Sequence, residues 1–65
     1  MKIIINGKEK EIKSKSIPEL INELSLIVSS SAIAVNYTVI KKSSYSEAHL
    51  KEGDRVDIVQ AVQGG

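Results

Sequence analysis

Few residues of this 65-residue chain belong to the types that carry out chemistry. The chain has no cysteine, and its single histidine, His49, lacks the second histidine or thiolate that a metal site needs. The acidic residues are scattered among lysines, without the paired carboxylates typical of acid–base catalysis. Glycine-rich motifs that hold nucleotide phosphates are also absent from the sequence. We therefore expect no catalytic residue, no metal site and no cofactor bound by this chain, and we expect His49 to be an ordinary surface residue.

The last six residues hold the one group that a partner could easily modify. Residues 60–65 end on Gly64-Gly65, and no side chain hinders the α-carboxylate of Gly65. Because glycine lacks a Cβ atom, such a segment can be extended and threaded through a narrow channel. We expect a flexible tail over residues 60–65. The glycine pair alone is a weak signal, because an ordinary frayed chain end has the same composition.

Length and composition exclude several other classes of function. Hydrophobic residues make up 42% of the chain and charged residues 26%, which is typical of one globular domain, here residues 1–65. The apolar run Ile3-Ile4-Ile5 is too short for a signal peptide or a membrane span, and the absence of cysteine favours the cytoplasm. Five lysines fall within residues 1–15 without an aromatic residue to stack on bases. We expect a charged sheet edge there, and neither a nucleic acid nor a membrane as partner.

The elements that position the tail should be mainly strands, because ten isoleucines and six valines are branched at Cβ. Asn6-Gly7 predicts a tight hairpin turn between strands at residues 2–6 and 8–13. The second strand is so rich in charge that it suits the edge of a sheet. Further strands are expected at residues 32–36, 38–41 and 55–62, with Gly53-Asp54 in the turn before the last one.

One amphipathic helix is expected between the second and third strands. Ser16-Ile17-Pro18-Glu19 has the form of a capping box, with proline in the first turn. Apolar residues then recur at helical spacing, at Ile17, Leu20, Ile21, Leu24 and Ile27 or Val28. This spacing predicts about ten residues of helix, ending before Ser29. The whole order predicts an α+β fold with a mixed sheet of about five strands and one main helix packed on one face.

Strand alternation predicts a candidate docking surface. Residues that alternate with the core positions of the first and last strands lie on the sheet face opposite the helix. Apolar residues there, close to the chain end, are typical of a surface that binds a partner. Scattered surface aliphatics are also normal in any protein. The candidate partner-docking residues on this face are Ile4, Val59 and Ala61, and the adjacent Val62 is included with them as a docking residue.

Several short motifs occur together in one order. They are Asn6-Gly7, Ile33-Ala34-Val35-Asn36, Leu50-x-x-Gly53-Asp54-x-Val56-Asp57-Ile58-Val59 and Val62-Gln63-Gly64-Gly65. In this combination the chain resembles the ThiS family, the sulfur carrier proteins of thiamine biosynthesis, which are ubiquitin-like β-grasp proteins.

The resemblance implies a carrier and not an enzyme. An E1-like adenylating enzyme would use ATP and Mg²⁺ to convert the carboxylate of Gly65 into an acyl-adenylate, with Gln63 and Gly64 threaded into its active site. A persulfide sulfur, from a cysteine desulfurase or a sulfurtransferase, would displace AMP and leave a thiocarboxylate. Thiazole synthase would then take this sulfur into the thiazole ring of thiamine.

Three alternatives stay open at this point. The chain could carry sulfur for another pathway, such as molybdopterin synthesis. It could be a β-grasp interaction module in which the glycine pair has no role. It could also be a protein modifier that becomes joined to lysines through Gly65.

Overall fold

The computed structural model describes residues 1–60. These residues form five strands, one α-helix and two short 3-10 turns. The strands are β1 (Lys2–Ile5), β2 (Lys8–Glu11), β3 (Ser31–Val35), β4 (Thr38–Ile40) and β5 (Arg55–Gln60). The helix is α1 (Ile17–Glu23), and the 3-10 turns cover Val28–Ser30 and Lys42–Glu47.

The five strands form one mixed sheet in the order β2-β1-β5-β3-β4. Strands β1 and β5 are parallel, with Ile5 opposite Val56, and the other neighbouring pairs are antiparallel. The two hairpins are local in sequence, whereas the central pair joins the two ends of the described chain. The prediction of a mixed five-stranded sheet with one main helix is therefore confirmed.

The charged strand lies at a sheet edge, as its composition predicts. All four residues of β2 are exposed, and their sequence alternates Lys-Glu-Lys-Glu. The strand is shorter than expected and ends at Glu11, and Ile12 directly after it is buried. Ile12 therefore anchors an otherwise charged edge to the core, while the lysines discourage pairing with a further strand.

The core between the sheet and the helix is almost entirely aliphatic. Tyr45 and Leu50, from the long connection between β4 and β5, are also buried, so that connection covers part of the core. Stiff branched side chains fill this space well because few rotamers are lost on packing. The remaining members of the buried cluster are Ile3, Ile12, Ile17, Leu20, Ile33 and Val56.

The helix begins as the sequence predicts. Ser16 is the N-cap, and its side-chain oxygen accepts a hydrogen bond from the backbone N–H of Glu19 at 3.4 Å. The carboxylate of Glu19 accepts one from the backbone N–H of Lys15 at 2.7 Å, one residue before the position that a capping box would use.

The helix ends earlier than the apolar spacing predicts, at Glu23 with Leu24 as its C-cap. Ser25 takes a left-handed conformation, with φ 56°. The N–H of Ser25 bonds to the carbonyl of Asn22, and the N–H of Leu26 to that of Ile21, which is the hydrogen-bond pattern of a Schellman motif. The predicted helical packing of Ile27 or Val28 is wrong, because the chain turns away here and leaves both side chains exposed.

Candidate functional site

The candidate site is the open face of the sheet, meaning the face opposite α1, together with the end of β5. Val56 is fully buried on the helix side, and Ile58 packs against the same core. Side chains alternate along a strand, so Val59 lies on the open face, as does Ile4 in β1. Strand alternation therefore predicts these two positions correctly.

Ile4 and Val59 do not form one apolar patch. Ile4 is half-buried, and its neighbours on the open face are Glu9 in β2 and Arg55 in β5. Val59 is 66% exposed and lies opposite Ala32 of β3. The surface near Val59 is therefore aliphatic, whereas the surface near Ile4 is charged.

An Arg55–Asp57 pair separates the two apolar positions. The Nε atom of Arg55 lies 3.3 Å from Oδ2 of Asp57, and both side chains are partly exposed. The guanidinium carbon of Arg55 also lies 5.1 Å from the centre of the Tyr37 ring, a cation–π contact. Sequence reasoning missed this cluster. The two-residue spacing in β5 already places Arg55 and Asp57 on one face, but the position of Tyr37 depends on the β3–β4 turn.

Two asparagine turns hold β5 in place. Asn6 and Asn36 both have φ 51°, a left-handed conformation that asparagine tolerates better than most residues. The Oδ1 atom of Asn6 accepts the backbone N–H of Ile58 at 2.7 Å, and that of Asn36 accepts the N–H of Arg55 at 3.0 Å. These side chains satisfy donors on both edges of β5 and so fix its direction up to Gln60.

The glycine turns have structural roles in this arrangement. Gly7 and Gly53 have φ 83° and 85°, a left-handed conformation that glycine adopts readily in the turns predicted at Asn6-Gly7 and Gly53-Asp54. Asp54 contributes through its side chain instead, since its Oδ2 atom accepts the backbone N–H of Lys51 at 2.8 Å. Both turns border β5 or its neighbour β1, and neither brings together groups that could react.

The remaining tail residues lie outside the part of the chain that the structure describes. Gln60, the last described residue, is exposed and pairs with Ser31 at the end of β3. Gln60 is therefore the last residue of β5, so the predicted flexible tail over residues 60–65 is wrong for Gln60. The predictions for the tail residues stay predictions, namely those for Ala61, Val62, Gln63, Gly64 and Gly65.

Apart from the open face, a concave surface lies on the helix side of the molecule. Its lining residues are Lys13, Ser14, Glu19, Asn22 and Glu23. The Glu23 carboxylate accepts hydrogen bonds from Ser14 Oγ and from the backbone N–H groups of Lys13 and Ser14. The Ser14 bond is the main reason why the pKa of Glu23 is lowered, although partial desolvation opposes it. This carboxylate ties the β2–α1 connection to the helix and has a structural role.

The expected surface position of His49 agrees with the structure. Its side chain is exposed, and its backbone forms an isolated bridge with Ser16. Within residues 1–60, no three side chains of the histidine, cysteine, aspartate or glutamate type come close enough together to hold a metal ion. No helix in that range is long and apolar enough to cross a bilayer.

Comparisons with known proteins agree with this geometry. The model of the ThiS family matches residues 3–65. A thiazole synthase from Paramagnetospirillum magneticum is 33% identical over 66 residues, which cover the whole of this chain but only 20% of that protein. The chain thus spans about one fifth of the length of this relative.

Two solved structures have the same fold. The crystal structure of the thiamine biosynthesis protein ThiS from Geobacter metallireducens superposes with a TM-score of 0.85 at 23% identity, covering 100% of both chains. The solution structure of a thiamine biosynthesis protein from the same organism gives the same TM-score and identity and covers 88% of that chain. The sheet order and helix position described above are therefore those of the ubiquitin-like β-grasp fold.

Proposed function

This chain belongs to the ThiS family, and from that membership we propose that it is a sulfur carrier of thiamine biosynthesis that transfers sulfur as a thiocarboxylate on Gly65. One observation carries the proposal: the family match covers residues 3–65 and so includes both the folded body and the glycine pair. The chain serves as a co-substrate for other enzymes and is not itself the catalyst.

The proposed chemistry takes place on the α-carboxylate of Gly65. A carboxylate is a poor electrophile, so an E1-like enzyme with bound ATP and Mg²⁺ first activates it. A carboxylate oxygen attacks the α-phosphorus of ATP and releases pyrophosphate, which gives an acyl-adenylate. The terminal sulfur of a persulfide then attacks the acyl carbon and AMP leaves. A thiol cleaves the resulting sulfur–sulfur bond, leaving a thiocarboxylate on Gly65.

The proposed acceptor of this sulfur is thiazole synthase. The support is the similarity between this chain and a segment of a protein named thiazole synthase. That segment makes up about one fifth of the length of that protein. The persulfide would come from a cysteine desulfurase or a sulfurtransferase. Since the carrier has no cysteine of its own, no side-chain thiol competes for the activated acyl group.

The folded body supports this role by fixing the start of the tail. Asn6 and Asn36 hold β5 through its backbone, and β5 extends to Gln60. We place partner docking on the open face, at Ile4 and Val59, and propose that Ala61 and Val62 contact the same partner. Contacts of this body would offset the entropy lost when a partner orders the tail, about 1–2 kcal/mol per residue.

Mass spectrometry of the intact chain tests the proposed function. After incubation with the adenylating enzyme, ATP, Mg²⁺ and a persulfide donor, we expect the mass gain of one oxygen replaced by sulfur at the C-terminus. A matched chain with one residue added after Gly65 should gain nothing, because its carboxylate overshoots the activating phosphate. Gly64→Val should load more slowly, since a branched side chain widens and stiffens the segment.

Other outcomes would contradict the proposal. Equal loading of the extended chain would show that the position of the Gly65 carboxylate has no role. Recovery from cells of larger species, with Gly65 joined to lysines, would identify a protein modifier instead of a sulfur carrier.

A further inference from the structure

The charges of this chain are unevenly distributed. No Lys, Arg, Asp, Glu or His occurs in residues 24–40 or in residues 58–65, although the chain carries nine basic and eight acidic residues. The described parts of these two segments meet in space, because Ser31 pairs with Gln60 and Ala32 with Val59. The end of the molecule at which β5 stops is therefore built mainly from uncharged residues, and the neighbouring charge is the ammonium of Lys42, which donates a hydrogen bond to the carbonyl of Ser29 at 3.3 Å.

At this end the turn after the helix exposes two aliphatic side chains, Ile27 and Val28, which we call the apolar turn. Ile27 is 62% exposed and Val28 39%. The carbonyl of Ile27 accepts a hydrogen bond from Ser31 Oγ at 2.5 Å. Because Ser31 is the partner of Gln60, the apolar turn lies beside the last residue of β5.

The apolar turn and Val59 lie on opposite sides of the sheet. Val59 and Ala32 belong to the open face, whereas the apolar turn follows directly from the C-terminal end of α1. Exposed aliphatic side chains therefore flank the start of the tail from two directions. Grouped apolar exposure of this kind is typical of a surface that a partner covers.

The length of the tail restricts where that partner must be. Five residues follow Gln60, and five residues span at most roughly 17 Å. An enzyme that reacts with Gly65 in a buried active site must bring the entrance of that site close to Gln60. The entrance of the active site then contacts the residues around Gln60, including those on the helix side of the sheet.

We propose that the apolar turn, Ile27 and Val28, seats against an uncharged, apolar rim at the entrance of the adenylating enzyme's active site, so that this enzyme encloses the end of β5 from both sides. The inference rests on the proposed function. Charge complementarity favours this enzyme, because a site that binds ATP presents cations to the phosphates. With no acidic side chain in the two uncharged segments, the Gly65 carboxylate is the only anion they offer to those cations.

Pyrophosphate release at increasing concentrations of the chain tests this inference. For Ile27→Asp and for Ile27→Asp with Val28→Asp, we expect KM to rise about tenfold or more and kcat to stay within about twofold, since a buried charge weakens docking. Ser46→Asp is the matched control. Ser46 is exposed and lies near the N-terminal end of α1, because the carbonyl of Ala48 accepts the backbone N–H of Ile17. This variant should change KM by less than about threefold.

Two further measurements separate docking from folding and from charge. All variants should keep the thermal midpoint of the wild type, because the substituted side chains are exposed. Ile27→Leu should keep the KM of the wild type. The neutral variant Ile27→Asn should give a KM between those of the wild type and Ile27→Asp.

These measurements distinguish failure of the docking inference from failure of the proposed function. If the wild-type chain releases no pyrophosphate, the proposed function fails. If the wild type reacts but Ile27→Asp behaves like Ser46→Asp, the apolar turn does not dock. If Ile27→Asp weakens binding to thiazole synthase and leaves the adenylation KM unchanged, the assignment to the adenylating enzyme is wrong.

Discussion

Single side chains hold this small fold together by binding backbone groups over long sequence distances. The amide oxygens of Asn6 and Asn36 accept N–H groups of β5, and the Glu23 carboxylate accepts N–H groups of the β2–α1 connection. Each of these residues is polar, and side-chain periodicity alone assigns such a residue to solvent. Their importance comes from satisfying backbone donors that packing would otherwise leave unpaired.

Stability should depend on pH through Glu23. Its pKa is lowered in the folded state, chiefly by the Ser14 hydroxyl. The stabilisation is therefore present above the unfolded pKa and is lost as the pH falls through the folded pKa. We expect the thermal midpoint of the wild type to fall on acidification from neutral pH, and that of Glu23→Gln to fall less over the same range.

The matched control for this measurement is Glu47→Gln. Glu47 is also exposed, and its carboxylate accepts no hydrogen bond from residues 1–60. Its replacement should leave the slope of thermal midpoint against pH unchanged. Parallel slopes for the wild type and Glu23→Gln would show that Glu23 has no such role.

At the scale of elements, the end of the helix decides which residues are available to partners. A helix that continued along its apolar stripe would cover Ile27 or Val28, whereas the left-handed Ser25 reverses the chain and exposes both. Serine is not the usual residue here, since glycine adopts this conformation without a Cβ penalty. The early stop of α1 is therefore maintained by tertiary packing against a local preference.

Ser25→Gly should stabilise the protein by up to about 1 kcal/mol. The left-handed conformation costs a residue with a Cβ atom about 1–2 kcal/mol, and the greater freedom of glycine in the unfolded chain offsets part of the gain. Denaturant unfolding measures the change, with Ser29→Gly, in the neighbouring 3-10 turn, as the control that should destabilise. A destabilised Ser25→Gly variant would mean that the serine side chain makes a contact worth more than the backbone strain.

At the scale of the whole molecule, the fold places most of its charge away from the end of β5. The charged strand β2 lies at one sheet edge, and β5 passes through the centre of the sheet toward an end with few charged residues, where Lys42 bonds to the carbonyl of Ser29. The parallel pairing of β1 with β5 locks that central strand between two neighbours. The proposed carrier role requires a folded body on which a partner can dock and a short segment that reaches the partner's active site.

Val59→Asp should weaken docking of the adenylating enzyme on the open face. Val59 is 66% exposed, so the variant should fold normally, while the added carboxylate would be buried against the partner. Isothermal calorimetry should show a dissociation constant raised at least about tenfold. As the control, Ser46→Asp adds the same charge at an exposed position near the N-terminal end of α1 and should leave the dissociation constant within about twofold. An unchanged affinity for a folded Val59→Asp chain would remove the open face from the docking surface.

The sequence alone determined the features that depend on near neighbours. Turn residues such as Asn6-Gly7, the cap at Ser16 and the alternation that separates Val59 from Ile58 follow from backbone sterics and side-chain periodicity. The ordered motifs and the glycine pair were enough to indicate the family.

Only the tertiary structure decided which distant residues meet. The Arg55–Asp57 pair separates Ile4 from Val59 because β1 joins β5 at Arg55, and Glu23 binds Ser14 because the helix packs back on the sheet. The apolar turn lies beside Gln60 because β3 pairs with β5, and such long-range pairings depend on the packing of the whole core and on no local pattern.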